Sequence, residues 1–127
     1  MKKDKINNNF FLKKSIFLFS EFIKNNDKFK ALAYFRRTPA GWLIILKIME
    51  SYYADIDIYV EELIKEIPNE IASRLTIFSL INDATKKGFI IKKESPGDKR
   101  KKIIKPSETF IKEYSEWLYT FVNDADA

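Results

Sequence analysis

The chain has no cysteine and no histidine among its 127 residues. Those two absences exclude disulfides, thiol redox chemistry, zinc fingers and imidazole acid-base catalysis. Glycine (3) and proline (4) are scarce too, so each is an informative punctuation mark. Long apolar runs are missing as well. Ser15 to Phe19 and Trp42 to Leu46 are the longest candidates, far short of the roughly 18 to 20 residues that cross a bilayer, and no membrane segment is expected. Met1-Lys2-Lys3-Asp4-Lys5 ahead of Phe10 to Phe19 has the outline of a signal peptide. Lys13 and Lys14 interrupt its apolar part and no small-residue cleavage pattern follows, so a cytoplasmic location is expected. The remaining Asp, Glu, Lys, Ser and Tyr residues form no triad or paired-carboxylate pattern, and no enzyme is expected. No cofactor or metal is expected either, since Asp55 with Asp57 is too little for an all-oxygen site.

What is present fits one modest domain. The hydrophobic fraction of 46% suffices for a core. Eleven Phe, six Tyr and two Trp exceed what one small core needs, and the surplus belongs at an interface or around a cavity. The net charge of +5 is unevenly spread. Residues 50–72 carry seven acids against Lys65, residues 86–105 carry nine Lys or Arg against Glu94 and Asp98, and residues 106–127 carry five acids against Lys112. Such polarity suits a molecule that shows one face to a polyanion and turns its acidic parts away, the alternative being an ordinary solubilising charge run.

Met1 to Asn9 is polar and Asn-rich and is expected to fray. From Phe10 to about Lys24, Phe11, Ser15, Leu18 and Phe22, with the adjacent stripe Leu12, Ile16, Phe19 and Ile23, recur at helical spacing. Asn25-Asn26-Asp27 reads as a break before a short helix over 28–37. Residues 10–37 hold seven phenylalanines and pack either against a second copy or inside one subunit. Thr38-Pro39 starts a helix that runs to about Tyr52 and is apolar on most sides, the expected centre of the core. Asp55-Ile56-Asp57-Ile58 alternates like a short strand or an extended linker. A small helix over 60–67 ends at Pro68-Asn69. The next helix is placed from Glu70, with 70–72 as a separate turn the alternative. Its inward set is Ile71, Leu75, Phe78, Ile81 and Ala84 or Thr85, which leaves Arg74, Thr76, Ile77, Ser79 and Asn82 more exposed. Gly88 ends that helix in a left-handed conformation. Phe89 to Lys93 then pairs with Lys101 to Lys105 across residues 94–100, where Pro96-Gly97 makes the turn. Pro106-Ser107 opens the last helix, whose stripe of Phe110, Tyr114, Trp117, Leu118 and Phe121 is expected to return to the first helix.

Residues 56–105 are thus predicted to form a helix-turn-helix followed by a wing. The second helix can lie in a major groove while Lys and Arg around it neutralise phosphate. Ser73, Arg74, Thr76, Ile77 and Ser79 are the candidate reading face, with Ile77 able to meet a thymine methyl and the Arg74 fork able to read guanine bidentately. The alternatives are a surface salt bridge for Arg74 and simple capping for Ser73. Lys99, Arg100, Lys101 and Lys102 make a cationic hairpin that can enter or straddle a minor groove. Asp98 either braces that turn by pairing with Arg100 or stands unpaired.

The stretch GFIIKKESPGDKRKKIIKPS, from Gly88 to Ser107, resembles the wing of MarR-type winged helix-turn-helix regulators, in which an Asp-x-Arg motif sits in the hairpin. The resemblance reaches back through Ile81 to Gly88 and, more loosely, over residues 38–124. Ala84 stands where a leucine is usual, and Pro106-Ser107 replaces the common Leu-Thr. By position it implies that Asp98 braces the wing, that Arg100 enters or borders the minor groove and that the helix from about Ser73 to Lys87 is the recognition helix. It further implies a homodimer built from the first and last helices, with Phe11, Leu18, Phe22, Trp117 and Phe121 expected in the contact. A pseudo-palindromic operator, and usually repression, come with it. Family members often bind small aromatic effectors; Phe29, Tyr34, Trp42 and Tyr53 could line such a cavity, or simply be core.

The expected fold is therefore mainly α with a small β-wing: a winged helix-turn-helix over 38–105, flanked by dimerisation helices at 10–37 and 106–124. The expected function is a dimeric, sequence-specific regulator that binds double-stranded DNA. The alternative is a winged-helix module for protein interaction or nonspecific DNA anchoring.

Overall fold

Before Pro39 the sequence offers no glycine or proline to interrupt a helix. In the computed structural model, which describes residues 2–24 and 28–126 with side chains over 8–23 and 28–120, helix α1 (Lys2–Lys24) accordingly starts at Lys2. The fraying expected for residues 1–9 gives way to continuous helix over the described part, because nothing in that stretch stops propagation. Asn25-Asn26-Asp27, the expected break, lies outside the described residues. Helix α2 (Lys30–Arg36) follows and has no side-chain cap of its own.

Thr38 ends that segment and starts α3 (Pro39–Tyr53), its Oγ1 accepting a hydrogen bond from the Gly41 amide at 3.0 Å. Ile44, Ile45, Ile48 and Met49 of α3 are fully buried, and this helix is the centre of the core as expected. Gly41 has no side chain because none fits: a Cβ there would lie 2.2 Å from the Phe35 carbonyl oxygen of α2. Strand β1 (Ile58–Tyr59) is the observed remnant of the expected alternation at 55–58.

Helix α4 (Val60–Glu66) is capped by Glu62, whose Oε1 accepts from the Tyr59 amide at 3.2 Å. Helix α5 (Arg74–Lys86) starts at Arg74, not at Glu70. The Pro68 carbonyl accepts from Ile71 N (3.0 Å) in a separate turn, and Ser73 then caps α5 by accepting from Thr76 N at 3.1 Å. Gly88 has φ +80°, the left-handed conformation that only glycine adopts without strain, and turns the chain into the sheet.

Strands β2 (Ile90–Ser95) and β3 (Asp98–Pro106) form the hairpin, and the three strands order β1-β3-β2, all antiparallel. Pairs run from Ile90 with Pro106 to Glu94 with Lys102, with a bulge at Glu94/Ser95. The hairpin is longer than the expected 89–93 and 101–105 pairing, because the chain reverses within Pro96-Gly97 and Asp98, Lys99 and Arg100 already belong to the returning strand. Helix α6 (Glu108–Asp126) is capped by Ser107 Oγ, which accepts from Phe110 N at 3.1 Å.

Among the described residues the stripe on α6 packs on α2 and α3, and its Trp117 also stands with Phe22 of α1 around the Arg36 guanidinium. Phe110 meets Phe35 with centroids 5.4 Å apart, and Trp117 meets Trp42 at 5.5 Å. Glu113 Oε1 also accepts from the free amides of Ala31 (3.2 Å) and Leu32 (3.3 Å), supplying the cap that α2 lacks. Burial raises the Glu113 carboxyl above its ordinary range, against the lowering effect of those two amides.

Helix α1 is tied down through Glu21, which forms a buried ion pair with Arg36. The Arg36 guanidinium lies 4.1 Å from the Phe22 ring centre, 5.6 Å from Trp117 and 5.8 Å from Trp42. Within the described residues, no helix is long and apolar enough to cross a membrane.

Candidate nucleic-acid interface

Helix α5 had two apolar stripes to choose between, one residue apart. The one it buries is Ile77, Ile81 and Ala84. Ala84 is small enough to let α5 approach the core closely, whereas Leu75, Phe78 and Ile71, expected inside, are exposed. Ile77 is therefore removed from the reading face: at 1% exposure it cannot reach a base. Leu75 stands in the position imagined for it, projecting from the first turn at 73% exposure.

The other expected readers are at the surface but not all free. Ser73 is occupied as a cap, and its hydroxyl also lies 3.0 Å from Thr76 Oγ1. Arg74 donates from Nη1 to Glu61 Oε2 (2.8 Å) and from Nη2 to Glu61 Oε1 (2.5 Å), a two-pronged bridge from α5 to α4. That hydrogen bonding raises the basicity of Arg74 and holds the Glu61 carboxyl below its usual range. Ser79 is exposed.

On the wing, Asp98 Oδ1 accepts from the Arg100 amide at 3.0 Å and lies 3.5 Å from Arg100 Nε. The carboxylate therefore braces the turn while the guanidinium stays 93% exposed. Lys99 and Lys101 are exposed, Lys101 resting 5.4 Å over the Tyr59 ring. Lys102 pairs with Glu94 at 3.5 Å. Between this strand pair and helices α4 and α5 runs a groove of about 720 Å³, lined among others by Glu61, Phe78, Lys92, Arg100 and Lys102.

Lys92 was not anticipated, and it joins wing to helix. Its ammonium donates to Asn82 Oδ1 and sits 5.4 Å over the Phe78 ring, so both elements hold one relative position. Burial, then the charge of Lys102, lowers its pKa. Only the bare presence of a lysine in β2 was legible beforehand. Glu61 was likewise missed, because the acidic segment was expected to turn away; instead Glu61 meets Arg74, and Asp57 meets Lys105 at 3.6 Å.

Of the expected dimerisation residues, Phe11, Leu18 and Phe22 are exposed on α1. Trp117 is buried within the chain against Trp42, which takes it out of an exposed contact surface, and the side chain of Phe121 lies outside the described residues. Among the described residues the four aromatics considered for an effector go to different surroundings. Phe29 is buried in the core, Trp42 packs on Trp117 and Tyr53 on Tyr114. Only Tyr34 lines the roughly 560 Å³ cleft beside Arg37 and Lys87.

No protein-family model and no curated protein matches the chain. One solved structure does, from Bacillus cereus ATCC 10987 and described as a MarR-like transcription regulator. It shares 13% identity, covers 94% of this chain and 79% of its own, and superposes with a TM-score of 0.53. At that identity the likeness establishes the fold: a winged helix of the MarR-like type, mainly helical with a three-stranded antiparallel sheet.

Proposed function

We propose, from the fold shared with a MarR-like regulator, that this protein binds double-stranded DNA as a homodimer and regulates transcription, most simply as a repressor. The observation that carries the reading is the joint presentation of α5 and a cationic wing on one side of the subunit, locked together by Lys92. Arg74, Leu75 and Ser79 would face base edges in a major groove. Lys99, Arg100 and Lys101 would meet backbone and minor groove, with Asp98 holding Arg100 in place. The uncovered apolar face of α1 supports a second copy as partner.

Selection of bound duplexes from a random library, followed by fluorescence anisotropy at two salt concentrations, tests this. The expected product is an inverted repeat with half-sites about one helical turn apart, bound far more tightly than a scrambled duplex. Both affinities should fall steeply as salt rises. Salt-sensitive binding with no sequence preference would reduce the protein to a nonspecific DNA anchor, and no binding at all would defeat the proposal.

A further inference from the structure

The Arg74–Glu61 pair joins two residues on different helices, at distances of 2.8 and 2.5 Å, on the face assigned above to DNA. A surface that only neutralises phosphate has no use for a carboxylate there. Nor does the pair serve stability in any large degree, since both side chains are more than half exposed. Its neighbour Glu62 already supplies the α4 cap, which leaves Glu61 without that task.

The geometry of the bridge suggests what it does instead. Glu61 takes one N–H from each terminal nitrogen of Arg74. A guanidinium has five N–H groups, and the edge formed by Nε and the remaining Nη2 hydrogen has no partner among the described residues. That edge is a second fork, of the spacing that matches guanine O6 and N7. We propose that Glu61 is a positioning residue for base readout: by gripping the end of Arg74 it presents the free edge to a guanine in the major groove and keeps the guanidinium off the phosphates. The inference rests on α5 being the recognition helix. An untethered arginine on this helix can swing to any phosphate, which favours every sequence equally. A tethered one binds only what lies in front of its free edge, which a guanine in the groove can fill.

The test compares wild type, Glu61→Gln, Arg74→Ala and the double variant on the selected operator and on a scrambled duplex, across a salt series. Glu61→Gln should narrow the operator-to-scrambled affinity ratio by about fivefold or more, the low end of what one bidentate base contact discriminates. It should also steepen the log affinity against log salt slope on the scrambled duplex by about 0.9, one additional phosphate contact. In the Arg74→Ala background the same substitution should leave the ratio unchanged. A ratio that ignores Glu61→Gln, or that shifts as much without Arg74 as with it, overturns the proposal while leaving the regulator reading intact. Sequence-blind binding by the wild type overturns both.

Discussion

Leu75 and Ile77 stand two positions apart on α5 and meet opposite surroundings, one in solvent and one in the core. A large aliphatic side chain in the first turn of a helix aimed at a major groove has one natural partner there, the C5 methyl of thymine. Replacing the thymines of the selected operator one at a time by uracil removes only that methyl. At one position the wild type should lose about fourfold in affinity, the worth of roughly one buried methyl group at about 0.8 kcal/mol. Leu75→Ala should be indifferent to the same change. Sensitivity that persists in Leu75→Ala would assign the methyl contact to another side chain, with Phe78 the nearest apolar candidate on that face.

At the scale of elements, the question is what keeps α1 in place. Among residues 8–23 it buries little apolar surface within the subunit, and its anchor is the buried Glu21–Arg36 pair under Phe22, Trp42 and Trp117. Removing one member of a buried pair strands the other charge, so Glu21→Ala should cost about 3–5 kcal/mol in urea unfolding at fixed protomer concentration. Replacing both by apolar residues, Glu21→Leu with Arg36→Met, should recover most of that loss, since the stranded charge is gone. A Glu21→Ala chain as stable as the wild type would mean that α1 is held elsewhere. The anchor was not legible in the sequence, because it joins side chains through a tertiary contact that no spacing announces. The element boundaries were far more legible. Thr38-Pro39, Gly88, Pro96-Gly97 and Pro106-Ser107 each act locally, through a cap, a left-handed residue or a turn, and each appears where expected. The face of α5 is half legible for a definite reason: Ile81 and Ala84 are buried as expected and serve either stripe, whereas Ile77 takes the core place expected for Leu75 and Phe78, a choice that periodicity alone does not make. The site divides the same way. Asp98 beside Arg100 is a neighbour effect that the motif displays, whereas Lys92 with Phe78 and Glu61 with Arg74 depend on how separate elements are placed.

For the whole molecule, the decisive feature is that the chain leaves Phe11, Leu12, Ile16, Phe19 and Ile23 in contact with water along one helix. Contiguous exposed apolar surface of this kind is costly in a lone soluble subunit and ordinary at a dimer contact. A C2 dimer would also double the cationic wings, and operator symmetry would then mirror protein symmetry. Sedimentation equilibrium should therefore give twice the chain mass, and Phe19→Glu, which places a charge on that face without touching the core, should give the chain mass. Phe19→Glu should still bind an isolated half-site as the wild type does, because α5 and the wing are unaltered. On the full inverted repeat it should lose the gain that comes from linking two half-site contacts, a factor on the order of 10² or more. If Phe19→Glu remains dimeric, the contact lies on another surface. If the wild type is already a monomer and still prefers the inverted repeat, the two copies must be brought together by the DNA alone, and the apolar face of α1 would be left to a different protein.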